Sequence, residues 1–159
     1  MIKKVSGMKK YATVILLLTL WSGWGQVNPK VSVEKAITDF FEAFHAQDSL
    51  RLRQMASPAI RMQTLGRSSA GTDSVITVPF GNFLRSISSI PDSVRFEERL
   101  LSISVEVDGN LAQAWTPYEF WVNGELSHCG ANAFQLFCDK GSWKILQIID
   151  TRRREGCLE

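Results

Sequence analysis

The sequence predicts an α+β fold in which N-terminal helices pack on one face of a strongly curved, mainly antiparallel sheet. Three observations carry this expectation. Apolar residues recur at helical spacing from Val33 to Phe44 and again from Phe80 to Ile90. Strand-like alternation takes over after Pro91. The turn signals Asp108-Gly109-Asn110, Asn123-Gly124 and Asp139-Lys140-Gly141-Ser142 cut that second half into successive strands.

Each element follows in order. Val33, Ala36, Ile37, Phe40, Phe41 and Phe44 fall on one face of a first helix, with Ser32 as its N-cap and Glu34 near its positive end. Asp48 caps a short second helix, Ser49 to Met55, and Pro58 closes the pair. Residues 59–65 alternate as a half-buried strand, Gly66 to Asp73 read as a loop, and Ser74 to Val78 as a short strand. Pro79 suits the first turn of a third helix bearing Phe80, Phe83, Leu84, Ile87 and Ile90. Four long strands follow: Arg95–Val107, Leu111–Val122, Leu126–Cys138 and Trp143–Thr151.

A chain of 159 residues is enough for one domain with a real core and too short for two. Its first residues read as an export signal. Lys3, Lys4, Lys9 and Lys10 precede an uncharged run from Tyr11 to Trp21, and the small residues Gly23 and Gly25 follow. Cleavage is expected near Gly25, leaving residues 26–159 as a single periplasmic or secreted bacterial domain. The run is shorter than the ~20 residues of a spanning helix, so no membrane attachment is expected after cleavage. Removing the signal leaves 14 basic against 16 acidic residues, so the basic balance of the whole chain is no sign of nucleic-acid binding. Cys129, Cys138 and Cys157 match no zinc spacing, and no metal is expected. One disulfide and one free thiol fit an oxidising compartment. A Cys129–Cys157 bridge tying down the tail is one of the open pairings, since the last strand runs back toward Cys129.

The order helix–helix–strand–loop–helix and then four strands resembles the nuclear transport factor 2-like superfamily, including its SnoaL-like branch. The stretches Trp115-Thr116-Pro117-Tyr118-Glu119-Phe120-Trp121, His128-Cys129-Gly130, Phe134-Gln135-Leu136 and Trp143-Lys144-Ile145, with Asp150-Thr151-Arg152-Arg153, are similar to exported, uncharacterised members of it. The resemblance implies a cone-shaped fold enclosing a pocket, a homodimer through the sheet face, and no cofactor. It does not choose an activity, because the superfamily holds isomerases, dehydratases, cyclases and binding proteins.

Strand parity names the pocket candidates. A hairpin of the last two strands that sets Phe134 and Leu136 beside Leu146 and Ile148 carries His128, Asn132, Asp150 and Arg152 to the same face. Ala133, Gln135, Phe137, Ile145, Gln147 and Ile149 then fall on the other. Tyr118, Trp115 and Trp121 are expected as aromatic walls. The candidate catalytic group is Asp150 and His128 as acid and base, with Tyr118 as donor. Against it stands a structural reading in which Asp150 pairs with Arg152, Arg153 or Arg61 and His128 satisfies a backbone group. His45, at the end of the first helix, reads as a surface or cap residue. No G-x-S-x-G elbow or glycine-rich phosphate loop is present. Three functions stay open: a small-molecule-binding domain of unknown ligand, a cofactor-independent isomerase, dehydratase or cyclase, and an interaction module using the sheet face.

Overall fold

The computed structural model describes residues 28–67 and 72–157; the expected export signal lies outside the described residues. Helix α1 (Pro29–His45) begins earlier than its apolar periodicity suggests. Asn28, not Ser32, is the N-cap, accepting from the Lys30 amide at 3.0 Å, and Pro29 takes the first helical position, where a missing N–H costs nothing. Ser32 sits inside the first turn and accepts a 2.9 Å bond from Trp143 Nε1. Helix α2 (Ser49–Met55) carries the expected Asp48 cap, 2.9 Å from the Arg51 amide.

Strand β1 (Ala56–Arg67) pairs with β2 (Asp73–Val78), and helix α3 (Phe80–Ser88) follows, with Pro79 as its N-cap. Pro58 does not end a helix before a strand; it lies inside β1, in the stretch where pairing shifts register between Ala56 and Arg61. The chain continues through β3 (Phe96–Leu100), β4 (Ser104–Asp108), β5 (Leu111–Val122), β6 (Glu125–Asp139) and β7 (Ser142–Thr151). The sheet runs β2-β1-β7-β6-β5-β3, with β4 also on β5. Every pair is antiparallel except β1 with β7. The helices cover one face of this curved sheet. Ile37, Phe40, Phe41 and Phe44 of α1 meet Ala112, Ala114, Phe134, Leu136, Ile145 and Ile148 in one core.

Two irregularities change which side chains face that core. The expected single strand 95–107 is two strands. Leu100 pairs with Tyr118 and Ser104 with Trp115, so residues 101–103 oppose only Thr116 and Pro117. The extra residue shifts the alternation. Before the break the even positions Phe96, Glu98 and Leu100 face inward; after it Ile103, Val105 and Val107 do, and Leu101 is left 60% exposed. Pro117 marks the break, because it accepts from the Leu101 amide and has no N–H to return.

The second irregularity corrects the β6–β7 register. Gln135 pairs with Gln147 but Leu136 with Ile145, so Leu146 is the extra residue. Ile145, expected on the outer face, is 1% exposed in the core, and Leu146 is not its core neighbour there. The other expected outer residues, Ala133, Gln135, Phe137, Gln147 and Ile149, keep the parity of the exposed Trp115.

Candidate functional site

Between the helices and the inner sheet face lies a cavity of about 380 Å³. One part of its wall is aromatic and aliphatic, formed by Phe40, Phe41, Phe44, Phe83, Phe134 and Ile148. The other part is polar, and strand register explains why. Thr64 pairs with Asp150, Asp150 with Asn132, and Asn132 with Thr116, so one row of polar side chains crosses β1, β7, β6 and β5 on the inner face.

Hydrogen bonds gather the row into two groups, one on Asp150 and one on Asn132. Thr64 Oγ1 donates to Asp150 Oδ1 at 2.5 Å, and Arg152 Nε donates to Asp150 Oδ2 at 2.7 Å. Asn132 Nδ2 donates to Thr116 Oγ1 at 3.2 Å and to Glu98 Oε1 at 2.8 Å. Glu98 reaches in from β3. Burial pushes its carboxyl up to about 7; the Asp150 charge adds to this, while the Asn132 bond and Arg152 pull the other way. A carboxyl at that value holds or releases a proton near neutral pH.

The two other titratable neighbours are differently placed. His128 stacks on Phe120 with ring centres 4.8 Å apart and meets Tyr118 edge-on at 5.9 Å. Burial lowers its affinity for a proton, Arg152 and Arg154 add to this, and Asp150 opposes it. The Tyr118 hydroxyl donates to the Thr151 carbonyl at 2.9 Å. Burial, with the charges of Glu98 and Asp150, raises its titration well above the ordinary phenol range, so it stays a phenol. That carbonyl approaches β6 so closely that a Cβ on Gly130 would overlap it, which is why a glycine stands opposite Tyr118.

Of the residues singled out by sequence, Tyr118, His128, Asn132, Phe134, Asp150 and Arg152 line this one cavity. Trp115 and Trp121 do not. The inner positions of β5 are Ala112, Ala114, Thr116 and Tyr118, and the two tryptophans alternate with them onto the outer face. Trp115 is 52% exposed. Trp121 donates to Glu119 at 3.0 Å and carries the Arg99 guanidinium 4.3 Å above its ring. Glu98, Thr64, Thr116 and Phe120 are the polar and aromatic members that sequence parity missed.

The structural ion pair weighed for Asp150 exists, with Arg152 as its partner. His45, expected as a surface or cap residue, lines an open cleft at the end of α1. It is half-buried, and its Nε2 accepts the Glu98 amide at 2.9 Å. The cysteine pairing is Cys129–Cys157, with Cα atoms 5.5 Å apart, and Cys138 is free. Among the described residues no three His, Cys, Asp or Glu side chains converge as metal ligands would. No described helix is long and apolar enough to cross a membrane.

No protein-family model matches the sequence, and no curated protein matches it. Solved structures do. An NTF2-like protein from Cytophaga hutchinsonii superposes with a TM-score of 0.64 at 11% identity, over 80% of this chain and all (100%) of that one. A proposed dehydratase of the NTF2-like family from Streptomyces avermitilis gives 0.60 at 18% identity, over 78% and 95%. A protein of unknown function with a cystatin-like fold from Nostoc punctiforme gives 0.61 at 8% identity, over 79% and 92%. Identities this low speak for the fold. The chain has the NTF2-like α+β fold.

Proposed function

We propose that this NTF2-like domain binds a small, largely apolar molecule in its cavity and exchanges a proton with it through Glu98. The observation that carries the proposal is the Glu98 carboxyl itself, with a titration near 7 beside an aromatic wall and one oxygen held by Asn132. The second oxygen has no hydrogen-bond partner among the described residues and is free to meet a ligand's carbonyl, hydroxyl or acidic C–H. The chemistry is that of a cofactor-independent isomerase or dehydratase, in which one group takes a proton from carbon and returns it elsewhere.

Within this reading Asp150 is an electrostatic and structural partner. Both of its oxygens are engaged, by Thr64 and by Arg152, and its charge helps keep Glu98 protonated. His128 is a neutral wall residue stacked on Phe120, and Tyr118 spends its proton on the Thr151 carbonyl. The Cys129–Cys157 bridge supports an oxidising compartment, in line with export.

The test begins with native mass spectrometry of the domain from residue 26 onward, produced by export. A mass that leaves on denaturation identifies the occupant. That compound is then incubated with the protein in deuterated water and followed by proton NMR. Incorporation of deuterium at carbon, lost in Glu98→Gln with binding retained, supports the proposal. Tight binding with no exchange reduces the domain to a binding protein.

The outer sheet face favours one further part of the proposal, a homodimer. Trp115 and Leu111 are exposed on it beside Ala133, Phe137 and Ile149. Sedimentation of the wild type against Trp115→Glu tests it, with a shift from dimer to monomer expected.

A further inference from the structure

His45 is the last residue of α1, and its ring lies among Phe41, Phe44 and Phe96 with ring centres 6.2, 5.6 and 6.3 Å away. Its Nε2 accepts the backbone amide of Glu98 at 2.9 Å. An acceptor Nε2 requires the tautomer with the proton on Nδ1, or no bond forms. This single bond ties the end of the helix to the middle of β3, at the very residue whose side chain enters the cavity. Strand β3 is an edge strand, paired only with β5, so its outward amides have no second strand to hold them.

We infer that His45 is a positioning residue: its neutral imidazole fixes the Glu98 backbone to α1 and so holds the Glu98 carboxyl at its depth in the cavity. The inference rests on the reading of Glu98 as the proton-carrying group. A proton on Nε2 turns the acceptor into a donor facing another donor, and the latch opens. The edge strand then moves toward solvent, and water reaches the carboxyl. Burial, the largest influence on His45, lowers its proton affinity, and Glu97 opposes this in part. Glu97, Arg95 and Arg99 line the neighbouring cleft with it, and α1 brings Glu42 one turn before it besides the rings of Phe41 and Phe44. The latch is therefore closed at neutral pH and opens as pH falls below the ordinary histidine range. While it is closed, Glu98 passes from acid to base as pH rises through about 7.

The test compares wild type, His45→Gln and His45→Phe by NMR. Glutamine supplies an acceptor that does not titrate; phenylalanine fills the aromatic nest and supplies none. Long-range proton–nitrogen spectra of the wild type are expected to show Nδ1 protonated, and the Glu98 amide shift is expected to move with the His45 midpoint. That movement should vanish in His45→Gln. The Glu98 carboxyl midpoint should stay at about 7 in His45→Gln and fall toward the ordinary carboxylate value in His45→Phe as the carboxyl hydrates. An Nε2-protonated ring, or a His45→Phe protein with the wild-type Glu98 midpoint and amide shift, overturns the inference. A wild-type Glu98 midpoint near the ordinary carboxylate value overturns the acid–base reading instead, and the tautomer and amide shifts still decide the role of His45.

Discussion

Asn132 Nδ2 lies 2.8 Å from Glu98 Oε1, joining the second strand from one end of the polar row to an edge strand that enters the cavity from the side. Asn132 also donates to Thr116, so its amide is aimed by two acceptors and has no freedom to turn away. One oxygen of Glu98 is thereby fixed at the cavity wall.

The first prediction concerns stability against pH. Glu98 titrates near 7 in the folded chain against 4.5 for the free group, so the folded state binds the extra proton. Its contribution is fully present below about 4.5 and is lost as pH rises through about 7. Glu98→Gln keeps the Asn132 bond and cannot ionise. At pH 8 it is expected to be more stable than the wild type by up to about 3 kcal/mol, and at pH 4 equal to it, by urea denaturation. A variant less stable than wild type at both pH values would contradict the assignment.

Gly130→Ala should be severe. The added methyl meets the Thr151 carbonyl, which also accepts the Tyr118 hydroxyl, and both strands would have to part. A loss of about 2–4 kcal/mol is expected by urea denaturation, with Tyr118 fluorescence changed in the fold that remains.

The C-terminal segment is held by Cys129–Cys157 and by the paired amides of Cys129 and Arg153. The bridge closes a loop with a sequence separation of 28 residues. Reduction, or Cys157→Ser, is expected to cost about 3 kcal/mol, read as a lowered urea midpoint with an unchanged core signal.

Asp150→Asn separates two roles. The pair with Arg152 is half-open to solvent on the arginine side, so stability should fall by only about 1 kcal/mol. The Glu98 midpoint should fall with it, because a neighbouring negative charge that raises it has gone. An unchanged Glu98 midpoint would show that the two carboxyls do not sense each other.

The helices and turns were legible because periodicity is a local signal, and Phe40, Phe41 and Phe44 face the core as their spacing requires, whereas the parallel pairing of β1 with β7 leaves no local trace. The inner face of β6 and β7 was legible at His128, Asn132 and Asp150 because β6 keeps its pairing without a shift from His128 to Gln135, and the extra residues Ser127 and Leu146 lie outside that stretch. Glu98 was not. Carrying the alternation of Ile103, Val105 and Val107 backward puts Glu97 and Arg99 inside, and only the extra residue at 101–103 reverses this. Leu146 hides the inward turn of Ile145 in the same way. Trp115 and Trp121 misled by size. The inner side of β5 holds Ala112 and Ala114 because the phenylalanines of α1 and β6 already fill that space.

The most direct test of the Glu98 assignment is a carboxyl titration of the protein labelled with carbon-13 at glutamate, followed by NMR from pH 4 to 9 with Glu98→Gln to assign the signal. The account predicts one glutamate with its midpoint near 7, absent from the variant. A Glu98 signal that titrates near 4.5 would leave the cavity without its proton-carrying group and contradict the proposed chemistry.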